Sequence, residues 1–304
     1  MQLREFFCGA RNVAGLLLSL LRFRNCVIGF LGVLVGASFT YSGFGVFFSS
    51  DVFIAGLAVF LIIGAGNILN DYFDIEIDKI NKPAKPLPAG RISKSDALML
   101  SIVLFLFGVG LSKLVNQYTL YLAALNTIVL ILYAIYSKRM LLVSNLVISY
   151  LVASVFVFGA LINVESMASL SDSSFTVLSI LVLCSFLMTL SREIIKDIED
   201  VKGDKYKYAQ TLPVRFGETT AKRVAVFFTL LAVLSSLLPF FLYVGINEPE
   251  FNLVVYIVLV GLADMVFFAS IFMPEYIAQR IIVGGMMISL FAFLLGDMVP
   301  KISF

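Results

Sequence analysis

The chain has no histidine, so no imidazole metal site and no imidazole general base can be built from it. It has no tryptophan either, which leaves its 12 tyrosines to form any aromatic belt at a membrane–water boundary. Its three cysteines, Cys8, Cys26 and Cys184, are odd in number and scattered, and imply no disulfide framework. Charge is scarce as well. Charged residues fill 14% of the 304 positions, where a soluble chain carries roughly 25%. Hydrophobic residues fill 60%, and the mean hydropathy is +1.00. This is the composition of an integral membrane protein. Residues 1–11 mix Arg4, Glu5 and Arg11 with apolar positions and carry no small-residue cleavage site. They read as a surface amphipathic helix rather than a cleavable signal peptide.

Apolar windows of about 20 residues, the length that crosses a bilayer, fall at 14–41, 52–74, 96–114, 118–137, 141–163, 174–197, 220–244, 252–273 and 276–299. They are too long and too uniformly apolar for barrel strands, which alternate. The expected fold is therefore all-α: one polytopic bundle of nine transmembrane helices around a central cavity, forming a single domain over 1–304. With the N-terminus placed in the cytoplasm, only Lys113 and Lys301 of the 22 Lys and Arg fall on the far side, and Arg22 and Arg24 lie inside the first span. The positive-inside rule then predicts a multi-pass cell-membrane protein with its elaborate loops, about 75–95 and 198–219, in the cytoplasm.

Those loops follow two acidic clusters. The first runs Asn70-Asp71-Tyr72-Phe73-Asp74-Ile75-Glu76-Ile77-Asp78, the second Asp197-Ile198-Glu199-Asp200-Val201-Lys202-Gly203-Asp204. Asp71, Asp74 and Asp78 match Asp197, Asp200 and Asp204 at a constant offset of 126 residues. Spacing of i, i+3 and i+7 puts each set on one helix face. The expectation is a pair of pseudo-repeated motifs facing each other across the cavity, while Glu76 and Glu199 lie off the shared face. Six carboxylates at the lip of a bilayer repel one another unless a cation joins them. Carboxylate-only ligation favours a hard cation such as Mg²⁺, which binds through one or two carboxylates, waters and substrate phosphate oxygens. A polyanion on that metal is the natural ligand.

Basic residues stand ready to complete such a site: Lys85 and Arg91 after the first cluster, Lys138 and Arg139 at the end of the fourth span, and Arg192 and Lys196 before the second cluster. Arg22 differs from these because it sits within an apolar span, and a guanidinium there faces an interior cavity and suits bidentate phosphate binding. Pro83, Pro86, Pro88 and Gly90 predict an extended loop after the first motif, with Ser93 and Asp96 capping the third span. The 29 phenylalanines are mainly lipid contacts and packing, though aromatic faces also stabilise a passing carbocation.

Asn70-Asp71-x-x-Asp74-x-x-x-Asp78 followed by Lys85-Pro86-Leu87-Pro88-Ala89-Gly90 resembles the first signature of the UbiA superfamily of intramembrane prenyltransferases. Asp197-x-x-Asp200-x-x-x-Asp204 followed by Thr211-Leu212-Pro213 is similar to the second, and Tyr133…Tyr136-Ser137-Lys138-Arg139 resembles the basic end of that family's fourth helix. Lys85 stands where the family usually has arginine. The resemblance implies Mg²⁺ held by Asn70, Asp74, Asp78, Asp197, Asp200 and Asp204, with all six aspartates catalytic. It also implies an isoprenyl diphosphate held by Arg22, Asn70, Lys85, Arg91, Tyr136, Lys138 and Arg139. The implied reaction ionises the allylic C1–O bond and lets a lipid-like hydroxyl acceptor attack C1, with no nucleic acid involved. The motif wording is most similar to the archaeal lipid branch, which joins a geranylgeranyl group to geranylgeranylglyceryl phosphate. Aromatic acceptors such as 4-hydroxybenzoate or a naphthoate are the alternative. A secondary transporter is the rival from another class, but its acids belong near the membrane midplane, not at one face.

Overall fold

The computed structural model describes residues 14–41, 43–136, 142–168, 172–206, 210–243 and 251–298. The expected surface helix at 1–11, and Lys138 and Arg139, lie outside the described residues. Among the described residues there is no strand. The first helices are α1 (Ala14–Leu21) and α2 (Phe23–Ser38), which form one bent pair, followed by α3 (Ser50–Phe73), the short α4 (Ile75–Asn81), α5 (Lys94–Val115), α6 (Gln117–Tyr136) and α7 (Val143–Ala160). The short α8 (Val164–Ala168) leads to α9 (Asp172–Glu199), α10 (Val201–Tyr206), α11 (Leu212–Phe216), α12 (Glu218–Ser236), α13 (Leu238–Tyr243), α14 (Leu253–Ser270) and α15 (Glu275–Met298). Eight of these stretches are long and apolar enough to span a membrane, and the bent pair makes a ninth. The protein is a multi-pass membrane bundle.

Helix α2 packs against α3, α7 and α15; α9 packs against α7, α12 and α15; α5 and α6 flank α3. The outer helices turn large side chains outward, such as Leu106 and Phe107 on α5 and Val254 and Met265 on α14. Water cannot drive two apolar helices together inside lipid, so close backbone approach between small residues does the work. A methyl at Gly36 would strike the Phe156 carbonyl, and one at Gly159 would strike the Val33 carbonyl. These glycines set how closely α2 and α7 cross.

The first span is not straight. Helices α1 and α2 meet at 58°, and the joint is Arg22, at φ 52 and ψ 57. That left-handed conformation costs a residue with a Cβ roughly 1–2 kcal/mol. The break frees the Leu21 carbonyl, which accepts hydrogen bonds from Asn67 Nδ2 at 2.9 Å and Cys26 Sγ at 3.1 Å. Asn67 on α3 thus satisfies the bend and fixes where the Arg22 side chain leaves the helix.

Candidate active site

Both acidic motifs break at the same place. Helix α3 stops one residue before Asp74 and α4 starts one residue after it; α9 and α10 flank Asp200 in the same way. The backbone stays helical in register, since the Asp74 amide donates to the Asn70 carbonyl and the Asp200 amide to the Lys196 carbonyl. Each motif therefore enters from its membrane helix and ends on a short helix capping the bundle. The two caps touch, α4 against α10. Asn81 joins them: its Nδ2 donates to the Asp200 carbonyl at 2.9 Å and its Oδ1 accepts from the Gly203 amide at 3.0 Å. A Cβ at Gly203 would sit 2.5 Å from Asn81 Nδ2, so glycine is needed for this approach.

Beneath the caps lies a cavity of about 500 Å³, and the spans carrying the two motifs face each other across it. Asp74 and Asp78 line it from the first motif, Asp197 and Asp200 from the second. The six matched aspartates do not share one role. Asp71 is 2% exposed and lies behind the wall, where its Oδ1 accepts from Arg22 Nη2 at 2.5 Å and from Lys85 Nζ at 2.9 Å. Asp204 is fully buried and is also off the wall. Glu76 and Glu199 are exposed, Glu76 paired with Lys79 at 3.0 Å and Glu199 accepting from Gln279.

Among the expected diphosphate contacts, Arg22, Asn70 and Lys85 line the cavity. Lys85 also reaches Asp78 Oδ2 at 2.6 Å. Burial raises the Asp78 carboxyl from its ordinary value; the Lys85 ammonium opposes that rise, and the charges on Asp71 and Asp74 add to it. Arg91 and Tyr136 do not line the cavity; both are exposed. The loop carrying Arg91 is a chain of tight turns rather than extended. The Arg91 amide returns to the Pro86 carbonyl at 2.9 Å, and Gly90 takes φ +68. Leu87 from this loop is buried with Leu20, Ile68 and Ala97, which anchors the segment bearing Lys85. At the end of α6 the wall residue is Tyr133, one helical turn before Tyr136. Ser93 caps α5 as expected, accepting from the Asp96 amide at 3.0 Å.

Several wall residues carry no sequence signal of their own. Lys82 crosses to Asp200 at 2.7 Å. Asn145 on α7 donates to Asp197 Oδ2 at 2.8 Å. Glu193 on α9 is 6% exposed and accepts from Arg192 Nη1 at 2.8 Å and Lys196 Nζ at 2.7 Å. Its spacing of i−4 from Asp197 was the one available clue, because it extends the acidic face by a turn.

The oxygen donors suit a hard cation. Five carboxylates line the cavity, four of them from the two motifs and the fifth Glu193, and Asn70 Oδ1 beside them is buried without a hydrogen-bond partner. Among the described residues no three acidic or sulfur-bearing groups converge on one metal position.

The profile of the UbiA prenyltransferase family matches residues 30–294. The chain belongs to the UbiA prenyltransferase family. Family members of similar sequence include the digeranylgeranylglyceryl phosphate synthase of Methanosarcina mazei, 40% identical over 265 residues that cover 84% of this chain and 86% of the relative. That of Methanopyrus kandleri is 35% identical over 277 residues, covering 91% and 97%. A solved structure concerned with digeranylgeranylglyceryl phosphate synthase in membranes superposes with a TM-score of 0.66 at 32% identity, over 94% of this chain and 98% of that one. A UbiA homologue from Archaeoglobus fulgidus, solved with GPP and Mg²⁺, shares the fold at a TM-score of 0.65 and 15% identity, over 92% and 98% of the two chains.

Proposed function

We propose that this prenyltransferase moves a geranylgeranyl group from geranylgeranyl diphosphate to the hydroxyl of geranylgeranylglyceryl phosphate, releasing diphosphate, in archaeal ether-lipid synthesis. The observation that carries the reading is similarity across most of the chain to digeranylgeranylglyceryl phosphate synthases from several archaea. The cavity supports it. Acids from both motifs and the cations Arg22, Lys82 and Lys85 share one wall, which suits a metal-bound diphosphate.

In this reading Asp74, Asp78, Asp197, Asp200 and Asn70 are the groups that would hold Mg²⁺, with Asp204 supporting the second motif from behind the wall. When bound, Mg²⁺ supplies charge neutralisation on the diphosphate leaving group. Arg22 and Lys85 donate to the diphosphate oxygens as negative charge builds there, in a site already oriented for it. Asp71 orients both cations and stays out of contact with substrate. The C1–O bond breaks with its electron pair leaving on the diphosphate. The acceptor oxygen then bonds to C1 and gives up its proton to the departing diphosphate. Leu18, Phe23 and Ile77 on the same wall keep water from the allylic cation. The whole chain is read as one prenyltransferase unit, and the lysine and arginine distribution supports a cytoplasmic side for its N-terminus and both caps.

The test is an acceptor screen with the reconstituted full chain, measuring diphosphate release with and without Mg²⁺. Geranylgeranylglyceryl phosphate should support release and 4-hydroxybenzoate should not. The reverse preference would assign the protein to quinone-type chemistry.

A further inference from the structure

We propose that Arg192 and Lys196, held in place by Glu193, form a second anion subsite in the cavity, which takes the phosphate of the acceptor. The proposal rests on the reaction proposed above and names the part of the site that selects the acceptor.

The two motifs are alike in their aspartates and unlike in the turn before them. The offset of 126 residues sets Arg192 against Gly66, Glu193 against Asn67 and Lys196 against Asn70. In the first motif two of the three serve the scaffold, Gly66 against Leu130 and Asn67 on the Leu21 carbonyl at the bend, and only the uncharged Asn70 lines the cavity. In the second motif the same turn carries three charged side chains, and all three line the cavity. Arg22, Lys82 and Lys85 already face the diphosphate from the first motif's side of the cavity, so the cations before the second motif are left for a second anion.

The cluster is built as a site. Glu193 is buried and holds one nitrogen of each cation, leaving the trio with net charge +1. Arg192 Nε is buried with no hydrogen-bond partner. A guanidinium held by one contact with an orphaned N–H beside a cavity is poised for an anion. Arg22 is near enough to act electrostatically on both Glu193 and Lys196, so the trio adjoins the diphosphate cations. Arg192 precedes Asp197 by five residues, which sets it about 7.5 Å further along the helix. An anion there lies deeper in the bundle than one at the aspartates. In geranylgeranylglyceryl phosphate the phosphate is at most two carbons from the reacting hydroxyl, so both anions fit one cavity with that hydroxyl between them. Aromatic acceptors that lack a phosphate gain nothing from this subsite. Glu193 is a positioning residue here, acting through the two cations.

The experiment compares geranylgeranylglyceryl phosphate with geranylgeranylglycerol as acceptors for the reconstituted full chain, in wild type, Arg192→Gln, Lys196→Gln and Arg192→Lys. The expected result is an apparent KM for the phosphorylated acceptor raised about tenfold or more in each Gln variant, with the donor KM held within about twofold. The preference for the phosphorylated acceptor should fall by a similar factor, and Arg192→Lys should regain part of it. If a Gln variant does not turn over, Mg²⁺-dependent binding of geranylgeranyl thiolodiphosphate decides. Retained binding of this analogue with lost binding of the phosphorylated acceptor supports the subsite, whereas lost binding of the analogue overturns it. A raised donor KM with an unchanged acceptor preference overturns it too, because these cations would then serve the diphosphate. A wild-type enzyme that uses neither glyceryl acceptor but prenylates 4-hydroxybenzoate would overturn the proposed reaction itself.

Discussion

Lys82, four residues beyond the last aspartate of the first motif, pairs with Asp200, the middle aspartate of the second, at 2.7 Å. The residues are 118 positions apart, and their contact ties the two capping segments together over the cavity. The Lys82 side chain is 35% exposed and that of Asp200 11%, so the pair is worth only about 0–1 kcal/mol to stability. Its larger effect is on the site. Lys82→Met should raise the apparent KM for the prenyl diphosphate several-fold while the melting temperature in detergent barely moves. A large drop in melting temperature with normal kinetics would make the pair a structural fastening.

Asp74 and Asp200 occupy the same junction in the two motifs and both face the cavity. Changing either to alanine should cut prenyl transfer by about 10²-fold or more, with the bundle still folded by circular dichroism. Chelation should stop the wild-type reaction, and added Mg²⁺ should restore it. If one of the two variants keeps near-normal turnover, its motif does not hold the metal.

Arg22 combines a strained backbone with a functional side chain, and two substitutions separate them. Arg22→Ala and Arg22→Gly should both raise the donor KM, since both remove the guanidinium. Glycine accepts φ 52 without strain, so Arg22→Gly should be more stable than Arg22→Ala by about 1 kcal/mol. Equal melting temperatures would mean that the chain straightens when the arginine is lost.

Gly36 faces the Phe156 carbonyl with no room for a methyl group. Gly36→Ala should force α2 and α7 apart and destabilise the protein by about 1–3 kcal/mol, read as earlier thermal unfolding. A melting curve that matches wild type would show that the crossing has slack.

Gly203 admits Asn81 between the caps. Gly203→Ala should displace the Asn81 amide and loosen the caps, visible as faster proteolysis of the 198–206 segment and weaker donor binding. Unchanged proteolysis would remove Asn81 from its bridging role.

Much of this was legible in the residues. Apolar runs are local, so the nine spans follow from composition along the chain. Helical periodicity is local too, and the two cavity-facing aspartates of each motif, Asp74 with Asp78 and Asp197 with Asp200, follow from it and from the constant offset, whereas Asp71 and Asp204 lie off the wall. The Ser93 cap was equally readable, because its partner Asp96 is three residues away. Arg91 and Tyr136 were expected at the diphosphate, and the structure places both off the cavity wall. Proximity to a motif in sequence suggested contact, but a reversing loop carries Arg91 outward, and one turn of helix decides between Tyr133 and Tyr136 for the wall.

By itself the sequence determined a polytopic membrane bundle and two acidic motifs of matched spacing, because hydropathy and helix spacing act over a few residues, while the chemistry those motifs serve came from their resemblance to a known family. Only the tertiary structure decided that Asp71 holds Arg22 and Lys85 rather than facing the cavity, that Lys82 crosses to Asp200, and that Glu193 organises two cations on the wall. Those relations depend on which helices meet and at what rotation. Glycine contacts such as Gly36 against Phe156, and the bend at Arg22, set that geometry through packing between segments distant in the chain.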